Sequence, residues 1–176
     1  MTILASRFAI PARGYSERMR HSRDEVIERV EREFERLDRV VASLTPAEWR
    51  RPVPRSETKE PWTVKDALAH IVYWKSDGAR VARKLPVPQE MRGLNINAGN
   101  TLVYLAWKDR SPAELLAWHR ETQEQVLAAL RQAPEKWFSS RERKDHWPYD
   151  LDGHSSDHRS RDIEAALTRE ARAGPR

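Results

Sequence analysis

The chain has 176 residues, 39% hydrophobic and 34% charged, with seven Trp and no Cys. Without cysteine there is no disulfide, thiolate metal site, iron–sulfur cluster or thiol nucleophile, and apolar runs such as Val103 to Trp107 are far too short to cross a bilayer. Lys and Arg number 32 against 27 Asp and Glu, a net +5, and three of those five charges fall before residue 22, where Arg7, Arg13, Arg18 and Arg20 face only Glu17.

The segment 1–20 reads as a disordered N-terminal extension, because its apolar residues form no continuous run and Pro11 and Gly14 interrupt any helix. A single domain is expected over 21–170, followed by a tail at 171–176. The first helix starts at Ser22-Arg-Asp-Glu25, where a hydroxyl cap stands three residues before a carboxylate. Behind it Val26, Val30, Phe34, Leu37, Val41 and Leu44 form one apolar stripe at helical spacing. Its basic residues alternate with acids (Glu28-Arg29, Glu31-Arg32-Glu33, Glu35-Arg36), as on a solvated face. A nucleic-acid binder concentrates its basic residues on one face, so no nucleic-acid partner is expected. A soluble, cytoplasmic protein is.

Thr45-Pro-Ala-Glu48 repeats the cap for one short turn. Thr63-Val-Lys-Asp66 opens a second long helix, with Val64, Ala67, Leu68, Ile71, Trp74, Gly78, Val81, Ala82 and Leu85 in register. Residues 86–99 read as loop, and 100–108 as a short helix. Ser111-Pro-Ala-Glu114 starts a third long helix, with Pro112 at the favoured first position, and carries Leu115, Trp118, Thr122, Val126, Ala129 and Leu130. An irregular stretch, 139–152, holds Trp147-Pro148-Tyr149, and a fourth helix is expected from Gly153 to Arg169 around Ile163, Ala166 and Leu167. Strand signals are poor. The fold class is therefore all-α, an antiparallel four-helix bundle with long connections between helices 2–3 and 3–4.

Six histidines stand at His21, His70, His119, His146, His154 and His158. His154 and His158, four apart on a helix, face the same way and can chelate one ion. His70 is the best third ligand: it lies about 80° from the centre of its helix's apolar stripe, on the shoulder shared with Trp74. Three neutral imidazoles leave a coordination position open, which suits zinc, nickel or iron. Asp66 or Asp162, each one turn from a candidate ligand, can hold an imidazole N–H, with helix capping the default for Asp66. His119 falls within the stripe of the third helix, where a buried core histidine is the default and an acid–base role the alternative. Trp74 is placed as a pocket wall. One feature opposes the metal site: in a uniform helix, His154 and His158 point roughly 140–160° away from Ile163 and Leu167.

The segment Trp62-Thr-Val-Lys-Asp-Ala-Leu-Ala-His70-Ile-Val-Tyr-Trp74 resembles that of the DinB-like (DinB/YfiT) four-helix bundle superfamily. Asn100 to Leu130 is similar to the ClbS/DfsB branch, and Gly153-His154-Ser-Ser-Asp-His158 resembles the superfamily's closing H-x-x-x-H. The resemblance implies a divalent metal, zinc or nickel, on His70, His154 and His158. It also implies thiol-dependent transferase or isomerase chemistry with a low-molecular-weight thiol, or hydrolytic opening of a strained electrophile. The partner is then a small molecule, and a homodimer is among the assemblies the family forms. Ser155 departs from the aromatic usual after the first closing histidine. With the ion supplying activation, His119 or Asp162 is the general base to consider. The competing function is a non-catalytic bundle that sequesters a hydrophobic small molecule.

Overall fold

The computed structural model describes residues 22–139 and 151–172. The extension 1–20, His21, His146, Trp147-Pro148-Tyr149 and the last residues of the tail lie outside them. All regular structure among the described residues is helical: α1 (Arg23–Ala42), α2 (Pro46–Trp49), α3 (Val64–Ala82), α4 (Ile96–Trp107), α5 (Pro112–Gln132), α6 (Lys136–Ser139), α7 (Leu151–His158), a π-helical turn (Arg159–Glu164) and α8 (Ala165–Arg172). A single turn of 3-10 helix, Gln89–Met91, interrupts the α3–α4 connection. No helix among these residues is long and apolar enough to cross a membrane.

The helix starts are chemical. Ser22, Thr45, Thr63 and Ser111 each accept a hydrogen bond from the backbone N–H three residues on, while the carboxylate of that residue accepts from the cap's own N–H. Asp66 is consumed in this way by Thr63, so it is a cap and not a partner of His70. The short helix begins earlier than the expected Asn100. Asn95 is its cap, with Oδ1 accepting from the N–H of Ala98 at 2.9 Å, and Asn100 is buried within it.

Two apolar clusters make the core. One gathers Leu37, Val41, Trp62, Leu68, Ile71, Leu115 and Ile163; the other gathers Val30, Ala79, Val126, Leu130, Phe138 and Leu151. Helices α3 and α5 pass from the first cluster to the second, whereas α1 and the α7–α8 segment pass the other way. The neighbours α3 and α5 therefore run in the same direction, and the connection containing α4 carries the chain back between them. A simple up-and-down alternation would not give this order. Between the clusters lies a polar layer: Glu33 from α1, Lys75 from α3, His119, Thr122 and Gln123 from α5, and Ser155 from α7, all buried. Lys75 Nζ donates to Gln123 Oε1 at 2.8 Å, and Arg159 grips Glu33 through two contacts of 2.8 and 3.1 Å.

Candidate metal centre

His70, on α3, meets His154 and His158, both on α7. Ring centroids are 5.1 Å apart for His70 and His154, 4.6 Å for His70 and His158, and 4.6 Å for His154 and His158. One ring nitrogen from each lies within 4.8 Å of the others. Metal–nitrogen bonds of about 2.0–2.1 Å would draw them closer still.

The π turn explains how one helix presents both the histidines and an apolar face. A π turn takes an extra residue, which rotates everything beyond it by roughly 100° relative to a regular helix. The mismatch that a uniform helix predicts is thereby largely removed: His158, Asp162, Ile163 and Ala166 are all buried. The spacing that opposed the metal reading is a property of an α-helix that this segment does not form.

Burial pushes His70 well below its ordinary pKa, with His158 and then His154 adding to the effect. Burial, followed by His158, pushes His154 down to about 3. Both are thus neutral imidazoles with a lone pair to offer at neutral pH. Nδ1 of His70 is buried and has no hydrogen-bond partner among the described residues, a desolvated donor or acceptor of the kind a bound ion would satisfy. His158 Nδ1 lies 2.7 Å from Asp162 Oδ2. An ionised carboxylate only accepts, so Nδ1 carries a proton, which in the neutral ring leaves the lone pair on Nε2. Burial alone would raise the Asp162 pKa, but the hydrogen bonds from His158 and Arg55 outweigh it and hold the carboxyl below its ordinary value. The donor set fits a divalent ion with an open position.

Around this cluster, Trp62 packs 5.0 Å from His70, centroid to centroid, and Trp74 presents an edge-on ring at 6.2 Å. Trp74 Nε1 donates to Asn100 Oδ1 at 3.1 Å, which fastens α4 to this wall. Asp162 is 1% exposed and held by Arg55 as well as His158. His119 does not join the three histidines. It packs on Phe34 at 4.7 Å, with Nε2 3.9 Å from Asp38 Oδ1, in the polar layer. Ser155, at the position where the resembling segments usually carry an aromatic, is wholly buried. Sequence spacing brought out neither Arg55 nor Trp62 as site residues. Trp62 did leave a trace, as the apolar residue directly before a helix cap. Arg55 sits in a loop and left none.

Three histidines from two helices, two of them one turn apart and one backed by a carboxylate, on an all-α fold define a protein of the DinB-like class. The chain belongs to the family of the mycothiol maleylpyruvate isomerase N-terminal domain, which matches residues 30–147 and so includes His70 but ends before His154 and His158. Among solved structures, it is similar to the colibactin self-resistance protein ClbS in complex with a dsDNA: 14% identity, TM-score 0.62, covering 88% of this chain and 98% of that one. It is also similar to an uncharacterised protein from Escherichia coli UTI89: 12% identity, TM-score 0.59, covering 86% and 90% respectively. No curated protein matches the chain in sequence.

The ClbS complex corrects one expectation. The alternation of acids and bases on α1 argues against a nucleic-acid partner, yet a protein of this fold has been crystallised with duplex DNA. Phosphate contacts need only a few well-placed donors, and a tally of charge along one helix does not reveal them.

Proposed function

We propose that His70, His154 and His158 hold one divalent ion, zinc or nickel, and that the chain is a metal-dependent enzyme acting on a small electrophilic molecule, as a hydrolase or a thiol-dependent transferase or isomerase. In this reading α1, α3, α5 and the α7–α8 segment are the four helices of the DinB-like bundle, spanning residues 21–170. The observation that carries the proposal is the convergence of three imidazoles, two buried and that of His154 half-buried, with Asp162 fixing the tautomer of His158.

When bound, the ion supplies Lewis acidity, making a water or a thiol nucleophilic at neutral pH. The chain's own residues do the rest. His70, His154 and His158 present lone pairs because burial keeps His70 and His154 neutral and Asp162 holds the proton of His158 on Nδ1. Trp62 and Trp74 wall the site and exclude water from one side. Asp162 already accepts from both Arg55 and His158, so it orients a ligand and is poorly placed to take a substrate proton. His119 belongs to the interior polar layer, and its role there is structural.

The test is elemental analysis of protein purified without chelator, followed by turnover assays with strained-ring electrophiles and thiol conjugates. Stoichiometric metal with turnover supports the proposal. Metal without turnover on any of these substrates would favour a sequestering bundle, and no metal after reconstitution would refute the site. The ClbS complex makes duplex DNA a ligand to include, read by fluorescence anisotropy across a salt series.

A further inference from the structure

We propose that Arg55 is a positioning residue for this metal centre, acting on His158 through Asp162; the inference rests on the metal-holding reading of the three histidines. Arg55 Nε donates to Asp162 Oδ1 at 2.8 Å, and its Nη2 donates to Asp162 Oδ2 at 3.1 Å and to Asp157 Oδ2 at 3.0 Å. The guanidinium thus grips both oxygens of a carboxylate that is 1% exposed, in the two-pronged geometry that fixes its plane. Oδ2 of that carboxylate also accepts from His158 Nδ1 at 2.7 Å. With both oxygens held, Asp162 cannot rotate away from His158, and Nε2 of that histidine is aimed by a chain of contacts that begins in a different part of the fold.

The source of Arg55 gives the contact its reach. The loop between α2 and α3 is closed on itself: Val53 N donates to Trp62 O at 2.9 Å, and Val64 N donates to Arg51 O at 2.9 Å. One arm of this loop carries Arg55 to Asp162, and the other lays Trp62 on His70. Two ligands stand on α7 and one on α3, so a single loop braces both sides of the site. Through Asp157 the guanidinium also spans from the last turn of α7 into the π turn, steadying the segment in which His158 sits. Lysine can supply the charge at this position but not the two-pronged grip.

The test is zinc affinity of the full chain, measured by competition with a chromophoric chelator. Metal-free circular dichroism and the visible spectrum of the cobalt-loaded form accompany it. Arg55→Met is expected to weaken zinc binding about 10- to 100-fold, the range seen when the outer partner of a ligand is lost, and to shift the cobalt bands while the helices persist. Arg55→Lys recovers part of the loss. Asp162→Asn weakens binding to a similar degree, and adding Arg55→Met to it has little further effect, because the two act in series. Asp157→Asn, which keeps an oxygen to accept from the guanidinium and leaves the grip on Asp162 intact, stays within about threefold of wild type.

Zinc affinity of Arg55→Met within about threefold of a zinc-binding wild type would overturn the proposal. So would losses that add independently in the double variant. Should Arg55→Met fail to fold, Arg55→Lys gives the reading: wild-type affinity and an unshifted cobalt spectrum there would count against the two-pronged grip. A wild type that binds neither zinc nor nickel defeats the underlying site assignment, and is distinguishable because no variant comparison is then needed.

Discussion

Arg159 and Glu164 are five residues apart, yet a guanidinium nitrogen of one lies 2.7 Å from a carboxylate oxygen of the other. On a regular helix those positions diverge by roughly 140°; they meet because the backbone between them makes a π turn. The same guanidinium holds Glu33 of α1. Removing Glu33 leaves a largely buried cation half-paired, so Glu33→Ala is expected to cost about 3 kcal/mol in urea unfolding. Glu164, at 40% exposure, is screened by water, and Glu164→Ala is expected to cost less than about 1 kcal/mol. Equal losses in the two variants would contradict this picture.

Shortening the π turn tests its purpose. Deleting the exposed Ser160 should let the segment become a regular helix and set His154 and His158 against Ile163 and Ala166 for the inward face. The expected result is retained helicity by circular dichroism with loss of bound metal or of several degrees in Tm. Unchanged metal content and Tm would show that the wide turn is incidental.

His154→Ala should abolish stoichiometric metal binding while leaving the helices intact, because one remaining imidazole on α7 and one on α3 cannot hold the ion alone. Plasma mass spectrometry on the variant, beside wild type, decides it; full occupancy in the variant would remove His154 from the ligand set.

Burial, then Lys75 and Arg120, pushes His119 down to about 3 from the ordinary 6.5. Between those values the unfolded chain takes up a proton that the folded one refuses, so acid destabilises the fold as pH falls below about 6.5. His119→Phe should therefore reduce the slope of stability against pH by up to about 1.4 kcal/mol per unit between pH 6 and 4.5. Denaturant midpoints across that range measure it, and an unchanged slope would mean that His119 is protonated in the fold.

Lys75 is 2% exposed, and among the described residues it meets a neutral acceptor, Gln123, and the face of Phe34. Burial lowers its pKa to about 8, against the opposing pull of Glu33 and Asp152. The unfolded chain keeps that proton to about pH 10.5, so stability should rise as pH climbs from 8 towards 10, by up to about 3 kcal/mol. Lys75→Met should raise stability at pH 7 by about 1–3 kcal/mol and flatten that rise. A destabilised Lys75→Met with the rise intact would show that the ammonium is better satisfied than its contacts indicate.

The long helices were legible because caps and apolar stripes are local: Ser22, Thr63 and Ser111 each begin the helix that their spacing implies. The metal ligands were legible in part, since the His154–His158 spacing is local whereas the meeting with His70 depends on how α3 and α7 pack. What escaped was relational. The π turn is held by Arg159 reaching α1, a contact that no periodicity encodes. Arg55 reaches Asp162 across more than a hundred residues of sequence, and His119 differs from the other buried histidines only in which neighbours the bundle supplies. The start of α4 escaped for a smaller reason: its cap, Asn95, lies inside the stretch that reads as loop and has no carboxylate three residues on to mark it.

The polar layer across the middle of the helices works as a key in a lock. The helices α1, α3 and α5 carry their buried leucines and valines above and below this belt, and each places a buried charged or amide group, Glu33, Lys75 or Gln123, within it. Sliding any one helix by a turn would bring Lys75 or Glu33 among aliphatic side chains and part each from its partner. Two oily halves alone would tolerate such slippage, since hydrophobic attraction has no fixed direction. By forbidding it, the belt sets the axial alignment on which the three histidines, one from α3 and two from α7, depend for meeting at one level.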